Sequence, residues 1–318
     1  MRILFAGTPA IAVPSLEAAA KAAELAAVLA APDRPRGRSG KSEPAETAAA
    51  AQRLAVSVLK PEKLDGAARE AVRALAPDLL VSFAYGRIFG PRFLALFPLG
   101  GVNIHPSLLP RYRGPSPLSA AILNGDAETG ITIQRLAPEM DGGDILAQEV
   151  IPLEGRETTE SLSHTAALKA AAMLPPLLEA LAAGRVCGRP QNHLDAVYCS
   201  LISREDGVID WTAGAGSIDA RIRAFTPWPL CRTAYGGEDL YILRAHPYVP
   251  LEQNAFRPPA GALPGLVLGV DKGHGILIQT GDGVLAAEVL QLEKRKALEW
   301  RAFLNGARNF AGTRLGVR

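Results

Sequence analysis

Three cysteines in 318 residues leave little material for covalent cross-linking. Cys187, Cys199 and Cys231 are odd in number and show neither a C-x-x-C pair nor metal-ligand spacing, so they read as reduced thiols of an intracellular chain. His164, His193, His246 and His274 have no ligand spacing with one another or with the cysteines, and no resident metal is expected. No apolar run approaches about 18 residues, which argues against a membrane span. The apolar start, residues 1–6, stops at Gly7, Thr8 and Pro9, too early for a secretory leader. A cytoplasmic location is the resulting expectation. Net charge is nearly absent, since 34 Lys and Arg face 32 Asp and Glu for a balance of +2. Any contact with nucleic acid must therefore come from a local basic patch. Two motifs are missing too: Gly7-Thr8-Pro9 makes no G-x-G-x-x-G, so a nicotinamide site is unsupported, and Ser107 has no G-x-S-x-G elbow around it.

Short apolar runs alternate with helical patterns up to about residue 187, the signature of βαβ units that close a mainly parallel sheet, an α/β class. Strands are expected at 3–6, 25–30, 78–84, 102–105 (within an apolar run that begins at Leu99) and 131–136. Helices are expected at 14–24, where Pro14 suits a first turn, and at 45–53, 64–75, 117–124 and 159–183. Residues 188–204, rich in Gly, Pro, Arg and Asn at their start, read as a linker. From about residue 205 to 318, β-like runs at 241–244, 266–270, 276–279 and 284–290 are punctuated by Gly236-Gly237, Gly273-His274-Gly275 and Gly281-Asp282-Gly283. That spacing predicts a smaller antiparallel barrel domain. At 318 residues, two domains can each bury a core.

The segment from Asn103 to Pro110, Asn-Ile-His-Pro-Ser-Leu-Leu-Pro, carries an amide and an imidazole where an apolar strand must end, because Pro106 and Pro110 cannot continue it. In open α/β sheets that end faces the ligand crevice. Downstream of the next apolar run, Met140-Asp141-Gly142-Gly143 supplies a carboxylate. An amide, an imidazole and an acid suit acyl-type transfer to an amine. An Asn N–H or a protonated His stabilises charge developing on a carbonyl oxygen, and Asp141 orients the imidazole or takes the amine proton. Taken alone, the triplet is equally compatible with a capped turn and a satisfied histidine. The run from Pro32 to Lys41 holds Arg34, Arg36, Arg38 and Lys41 against one acid, Asp33, and its Pro and Gly oppose regular structure. It reads as an irregular basic finger or as an ordinary solvated loop.

Further segments give context: Phe5-Ala6-Gly7-Thr8-Pro9, Val13-Pro14-Ser15-Leu16, Arg111-Tyr112-Arg113-Gly114, Gly125-Asp126-Ala127-Glu128-Thr129-Gly130, Ile209-Asp210-Trp211 and Phe225-Thr226-Pro227-Trp228-Pro229. With the triplet they resemble, in the same order along most of the chain, the folate-dependent formyltransferase family, in its branch acting on methionyl-tRNA. The resemblance implies a Rossmann-like catalytic domain over 1–187 and an OB-like C-terminal barrel over 205–318 that assists tRNA binding. It implies catalytic roles for Asn103, His105 and Asp141, and 10-formyltetrahydrofolate as co-substrate. That folate would be held by Phe83, Ala84, Tyr85 and Gly86 and by Ser107, Leu108, Leu109 and Pro110. The acceptor would be initiator methionyl-tRNA, contacted by Arg34, Arg36, Arg38 and Lys41, and the protein a monomer. Ala10, Ile11 and Gly142 depart from the family's habit, as does the lysine-poor stretch 42–46. An amino-sugar nucleotide as acceptor and a tRNA-end binding module without catalysis are the alternative functions.

Overall fold

The computed structural model describes residues 1–35, 42–249, 259, 261–307 and 309–316. The chain folds as two compact units. The first comprises Met1–Leu118, Glu128–Leu153 and Ser161–Ser200, and the second Ser119–Ala127, Glu154–Glu160 and Leu201–Arg318.

The chain opens as expected. Strand β1 (Arg2–Gly7) is apolar and buried from Ile3 to Ala6, α1 (Val13–Ala22) begins with Pro14 in its first turn, and β2 (Glu24–Leu29) lies parallel to β1. A two-residue antiparallel pair follows, β3 (Arg34–Pro35) with β4 (Ser42–Glu43). Arg36, Arg38 and Lys41 lie outside the described residues.

Next come α2 (Glu46–Arg53), β5 (Val58–Leu59) and α3 (Gly66–Ala74), whose N-cap Asp65 accepts the Ala68 N–H at 3.1 Å. An aspartate there satisfies one of the helix's orphan donors, typically by about 1 kcal/mol. Strand β6 (Leu79–Phe83), fully buried, leads to the single-turn α4 (Pro91–Leu94) and to β7 (Gly101–His105). Helix α5 (Pro117–Leu123) precedes the antiparallel β8 (Glu128–Arg135) and β9 (Ile145–Pro152), and α6 (Thr159–Ala182) follows. Strand β9 is absent from the sequence expectations, because Gln148, Glu149 and the exposed Val150 interrupt its apolar pattern.

These strands form one sheet in the order β5-β2-β1-β6-β7-β8-β9, parallel from β5 to β7 and antiparallel beyond. Strand order reverses at β1, so the crevice outside the carboxyl ends of β1 and β6 is the switch point where α/β sheets bind ligands. Helix α6 buries Leu162, Ala166, Ala170, Leu174, Leu178 and Leu181. These recur every four residues or so, and that stripe explains why the helix folds onto a core. It is also apolar and long enough to cross a bilayer by length and composition alone.

Beneath the β6–β7 connection, Tyr85, Phe89, Phe93 and Phe97 stack in succession with centroids 5.3, 5.5 and 5.8 Å apart. Each such pair contributes about 0.5–1.5 kcal/mol beyond its area. The ladder fixes the course of residues 84–97 against Leu4, Leu29 and Leu80.

In the second unit α7 (Ala215–Ala224) packs on an antiparallel sheet. That sheet comprises β10 (Cys231–Tyr235), β11 (Glu238–Pro247), β12 (Val267–Asp271), β13 (Gly275–Gln279), β14 (Val284–Leu292) and β15 (Leu298–Glu299), and α8 (Trp300–Gly306) follows. The order is β10-β11-β14-β13-β12. The first half of β14 pairs with β13, and its second half meets β15. Gly236 (φ +60°) and Gly237 (φ +84°) join β10 to β11, and a two-residue hairpin with positive φ at both positions needs glycine there. The α/β unit followed by a smaller antiparallel β unit is the architecture read from the sequence.

All three cysteines are free. Burial pushes the Cys231 thiol up to about 12 and raises that of Cys199, whereas Cys187 is exposed. A thiol-disulfide reagent at mildly alkaline pH should therefore label Cys187 first and leave Cys231 untouched until the protein unfolds. Prompt modification of Cys231 in the native protein, read by peptide mass, would contradict this burial.

Candidate active site

Sheet register brings the site together. Phe83 of β6 pairs with Ile104 of β7, so Ala84 and His105 leave the sheet side by side. Across the antiparallel border Asn103 faces Gln134, and His105 faces Thr132. Side chains two apart share a face, so Asn103, His105, Thr132 and Gln134 form one polar square at the edge where the prolines end β7.

The loop between β8 and β9 folds Asp141 onto this square. Its Oδ1 accepts Gln134 Nε2 at 2.9 Å and Asn103 Nδ2 at 3.4 Å, and its Oδ2 accepts the Gly114 N–H at 2.9 Å. His105 Nδ1 lies 3.6 Å from the same Oδ2, with side-chain exposures of 6% and 13% for His105 and Asp141. At that degree of shielding the pair interacts through a medium far less polar than water. His105 Nε2 lies 2.8 Å from the Tyr112 carbonyl, which accepts only from a protonated nitrogen. The ring is thus held by Nε2–H, and its Nδ1 edge faces Asp141. Sequence reasoning named these three residues, and the structure converges them on one carboxylate.

Behind them the turn 106–112 is tightly pinned. Ser107 Oγ donates to the Arg111 carbonyl at 2.6 Å, the Leu109 N–H donates to Thr132 Oγ1 at 3.1 Å, and Thr132 Oγ1 donates to the Ser107 carbonyl at 2.7 Å. Leu108 packs on Gly130 of β8, where a Cβ would overlap both the Leu108 side chain and the Glu149 carbonyl.

Of the expected folate-contacting residues, Phe83, Tyr85, Ser107 and Leu109 have buried side chains, Leu108 and Pro110 are half-buried, and Ala84 and Gly86 are exposed. Ala84 (φ +52°) and Gly86 (φ +80°) turn their backbone in the left-handed region beside His105, and a Cβ on Gly86 would meet open space.

Arg34, in β3, lines a cavity of about 430 Å³ with Thr8, Glu43, Tyr85, Gly86 and Arg87. It lies at the switch point, where Thr8 Oγ1 donates to the Tyr85 carbonyl at 3.3 Å. The structure therefore brings Arg34 and the Tyr85-Gly86 turn around one space.

Sequence reasoning missed three contributors: Gln134, Gln191 and Arg113. Gln134 sits opposite Asn103, a relation that only register reveals. Gln191 lies in the stretch expected to be a linker, yet that stretch bridges the sheet unit at Arg189 to Ile145 and at Tyr198 to Arg113. Arg113 stood in a noted motif but was given no role, and it is wholly buried. Among the described residues no group of three or more His, Cys, Asp or Glu is arranged to hold a metal ion.

Comparison with known proteins identifies the family. The family model described as formyl transferase matches residues 1–178, and that of the formyl transferase C-terminal domain matches residues 201–308. The methionyl-tRNA formyltransferase of Treponema denticola is 48% identical over 98% of both chains. That of Roseiflexus castenholzii is 42% identical over 99% of both. Among solved structures, HypX of Aquifex aeolicus in complex with tetrahydrofolic acid has a TM-score of 0.66 at 18% identity, covering 98% of this chain and 48% of that one. This chain thus spans about half of HypX. An N-formyltransferase of Helicobacter canadensis, in complex with folinic acid and dTDP-3-aminofucose, gives 0.65 at 20% identity, over 90% of this chain and 98% of that one. At those identities the two structures speak for the fold alone. Matched in both of its halves and along nearly its whole length by relatives of one kind, this chain belongs to the formyl transferase family.

Proposed function

We propose that the chain transfers a formyl group from 10-formyltetrahydrofolate to the methionine amino group of initiator methionyl-tRNA, as its relatives' names indicate for them. The observation that carries the chemistry is the convergence of Asn103, His105 and Asp141 at the carboxyl end of β7. The folate supplies an activated formyl group on N10. The methionyl amine attacks the formyl carbon, and negative charge develops on the formyl oxygen. The Asn103 amide is the donor at hand for that oxygen, joined by His105 Nδ1 when the ring carries a second proton, and one such donor is worth about 3–4 kcal/mol. Asp141 holds both groups and accepts the proton that the amine loses, directly or through water. The amine gains the formyl group, and N10 of the folate leaves with a proton.

Residues 1–187 carry the folate site and the chemistry in this reading. The exposed turn at Ala84 and Gly86 reads the pterin edge, Leu108 and Pro110 flank it, and Phe83, Tyr85, Ser107 and Leu109 support the two segments from within. Residues 205–318 assist tRNA binding, joined through 188–204. Arg34, Arg36, Arg38 and Lys41 meet the single-stranded acceptor end, where arginine pairs with phosphates and stacks on bases. The protein works in the cytoplasm as a monomer.

Incubation with 10-formyltetrahydrofolate, charged initiator tRNA and a free amino-sugar nucleotide together tests the acceptor. Formyl-methionyl-tRNA should be the product. Formylation of the sugar nucleotide alone would replace the acceptor, and transfer to neither would overturn the reading in favour of a binding module.

A further inference from the structure

The least expected group near the site is the Arg113 guanidinium, which has no exposure to solvent. A buried cation is costly unless its N–H groups find partners. Arg113 Nη1 donates to Glu139 Oε1 at 2.7 Å and to the Tyr198 hydroxyl at 3.2 Å. The Tyr198 hydroxyl, with His193 and Arg113, holds the Glu139 carboxyl below its ordinary range. On its other side Arg113 donates through Nε and Nη2 to one acceptor, Gln191 Oε1, at 3.2 and 2.9 Å.

That contact decides which way the Gln191 amide points. With Oε1 fixed by two guanidinium donors, Nε2 faces the opposite side, where it donates to the backbone carbonyls of Asp141 at 2.8 Å and Gly143 at 2.7 Å. It also lies 3.2 Å from Gln134 Oε1. That orients the second amide in turn, leaving Gln134 Nε2 to donate to Asp141 Oδ1 at 2.9 Å. Reversing either amide would set N–H against N–H. Asp141 itself has φ +50°, in the left-handed region that few non-glycine residues adopt and that aspartate tolerates better than most. The Gln191 amide grips that residue's own carbonyl and the one two residues on.

We infer that Gln191, oriented by Arg113, is a positioning residue for the transfer: it holds the Asp141 carboxylate in register with Asn103 and His105, through the loop backbone directly and through Gln134. This inference rests on the formyl-transfer reading above. A small misplacement of a reacting group costs on the order of 10²-fold in rate, and no member of this chain of hydrogen bonds needs to touch substrate to exert that effect.

The test is steady-state kinetics of the full chain with 10-formyltetrahydrofolate and charged initiator tRNA, for wild type, Gln191→Met and Gln134→Met. Both variants keep the volume and lose the amide. Each is expected to lower kcat by on the order of 10- to 100-fold, with KM for the folate within about twofold. A second background separates positioning from loss of structure: Asp141→Asn, which already lacks the carboxylate. There, adding Gln191→Met or Gln134→Met should lower kcat by less than about twofold more, because the group they position is gone. Thermal unfolding of each variant is measured alongside. If Gln191→Met does not fold, Gln134→Met, which leaves the loop backbone contacts in place, decides alone. Wild-type kcat in a folded variant, or the same fold-loss of rate in the Asp141→Asn background as in wild type, overturns the assignment. A wild-type protein that transfers to no acceptor overturns the functional reading and this inference together.

Discussion

Replacing Asp141 with asparagine is expected to lower kcat by about 10²–10⁴-fold, the range that acid–base catalysis contributes. The shape barely changes, but the hydrogen bonding fails. Asp141 accepts Gln134 Nε2 and Asn103 Nδ2 on one oxygen and the Gly114 N–H on the other. An asparagine offers only one oxygen, so its NH₂ must confront a donor on one side. The negative charge facing His105 Nδ1 is lost as well. Folate affinity should change little, because the exposed turn at Ala84 and Gly86 is untouched. Parallel measurement of kcat and of folate binding checks both halves of this expectation. A variant with unimpaired turnover would remove Asp141 from the mechanism.

Gly143→Ala should be nearly as damaging, by a different route. Gly143 is packed so closely against the end of β8 that a Cβ would overlap the Arg135 carbonyl. Neither atom belongs to a flexible side chain, so the backbone has to move. The Arg135 N–H donates to the Asp144 carbonyl at 2.9 Å, and the Gly143 carbonyl accepts from Gln191 at 2.7 Å. Both bonds stretch if the strand and loop part. Overpacking of this kind costs about 1–3 kcal/mol, which corresponds to about 2–4 °C in Tm per kcal/mol for a unit of this size. Activity should fall further than stability, since Asp141 stands two residues away on the displaced loop. Calorimetry combined with a transfer assay tests this, and a variant with wild-type Tm and rate would refute the close approach.

Much of the sheet unit was legible because apolar runs and helical stripes mark it directly. The end of β7 at His105 followed from Pro106, and the first turn of α1 from Pro14. The antiparallel edge was only half legible: β8 showed as an apolar run, whereas β9 alternates too weakly around Gln148 and Glu149. Gln191 was invisible because a glutamine in an aperiodic stretch carries no local sign of a partner 50 residues away. Arg113 was visible as a residue and not as a buried one, since exposure depends on what folds over it. The cations at 36, 38 and 41 rest on charge and family resemblance.

The class of fold and the strand end that presents Asn103 and His105 are written locally along the chain. Apolar periodicity and the missing N–H of proline are enough to specify them, whereas Asp141, with Glu139 and Asp144 beside it, received its role from the family resemblance. How the three meet is a property of the folded molecule. Antiparallel register set Gln134 opposite Asn103, the β8–β9 loop turned Asp141 into a left-handed conformation, and the fold buried Arg113 and Gln191 behind it. Those relations link residues distant along the chain, and hydrogen-bond orientation between such residues has no period that a sequence could display.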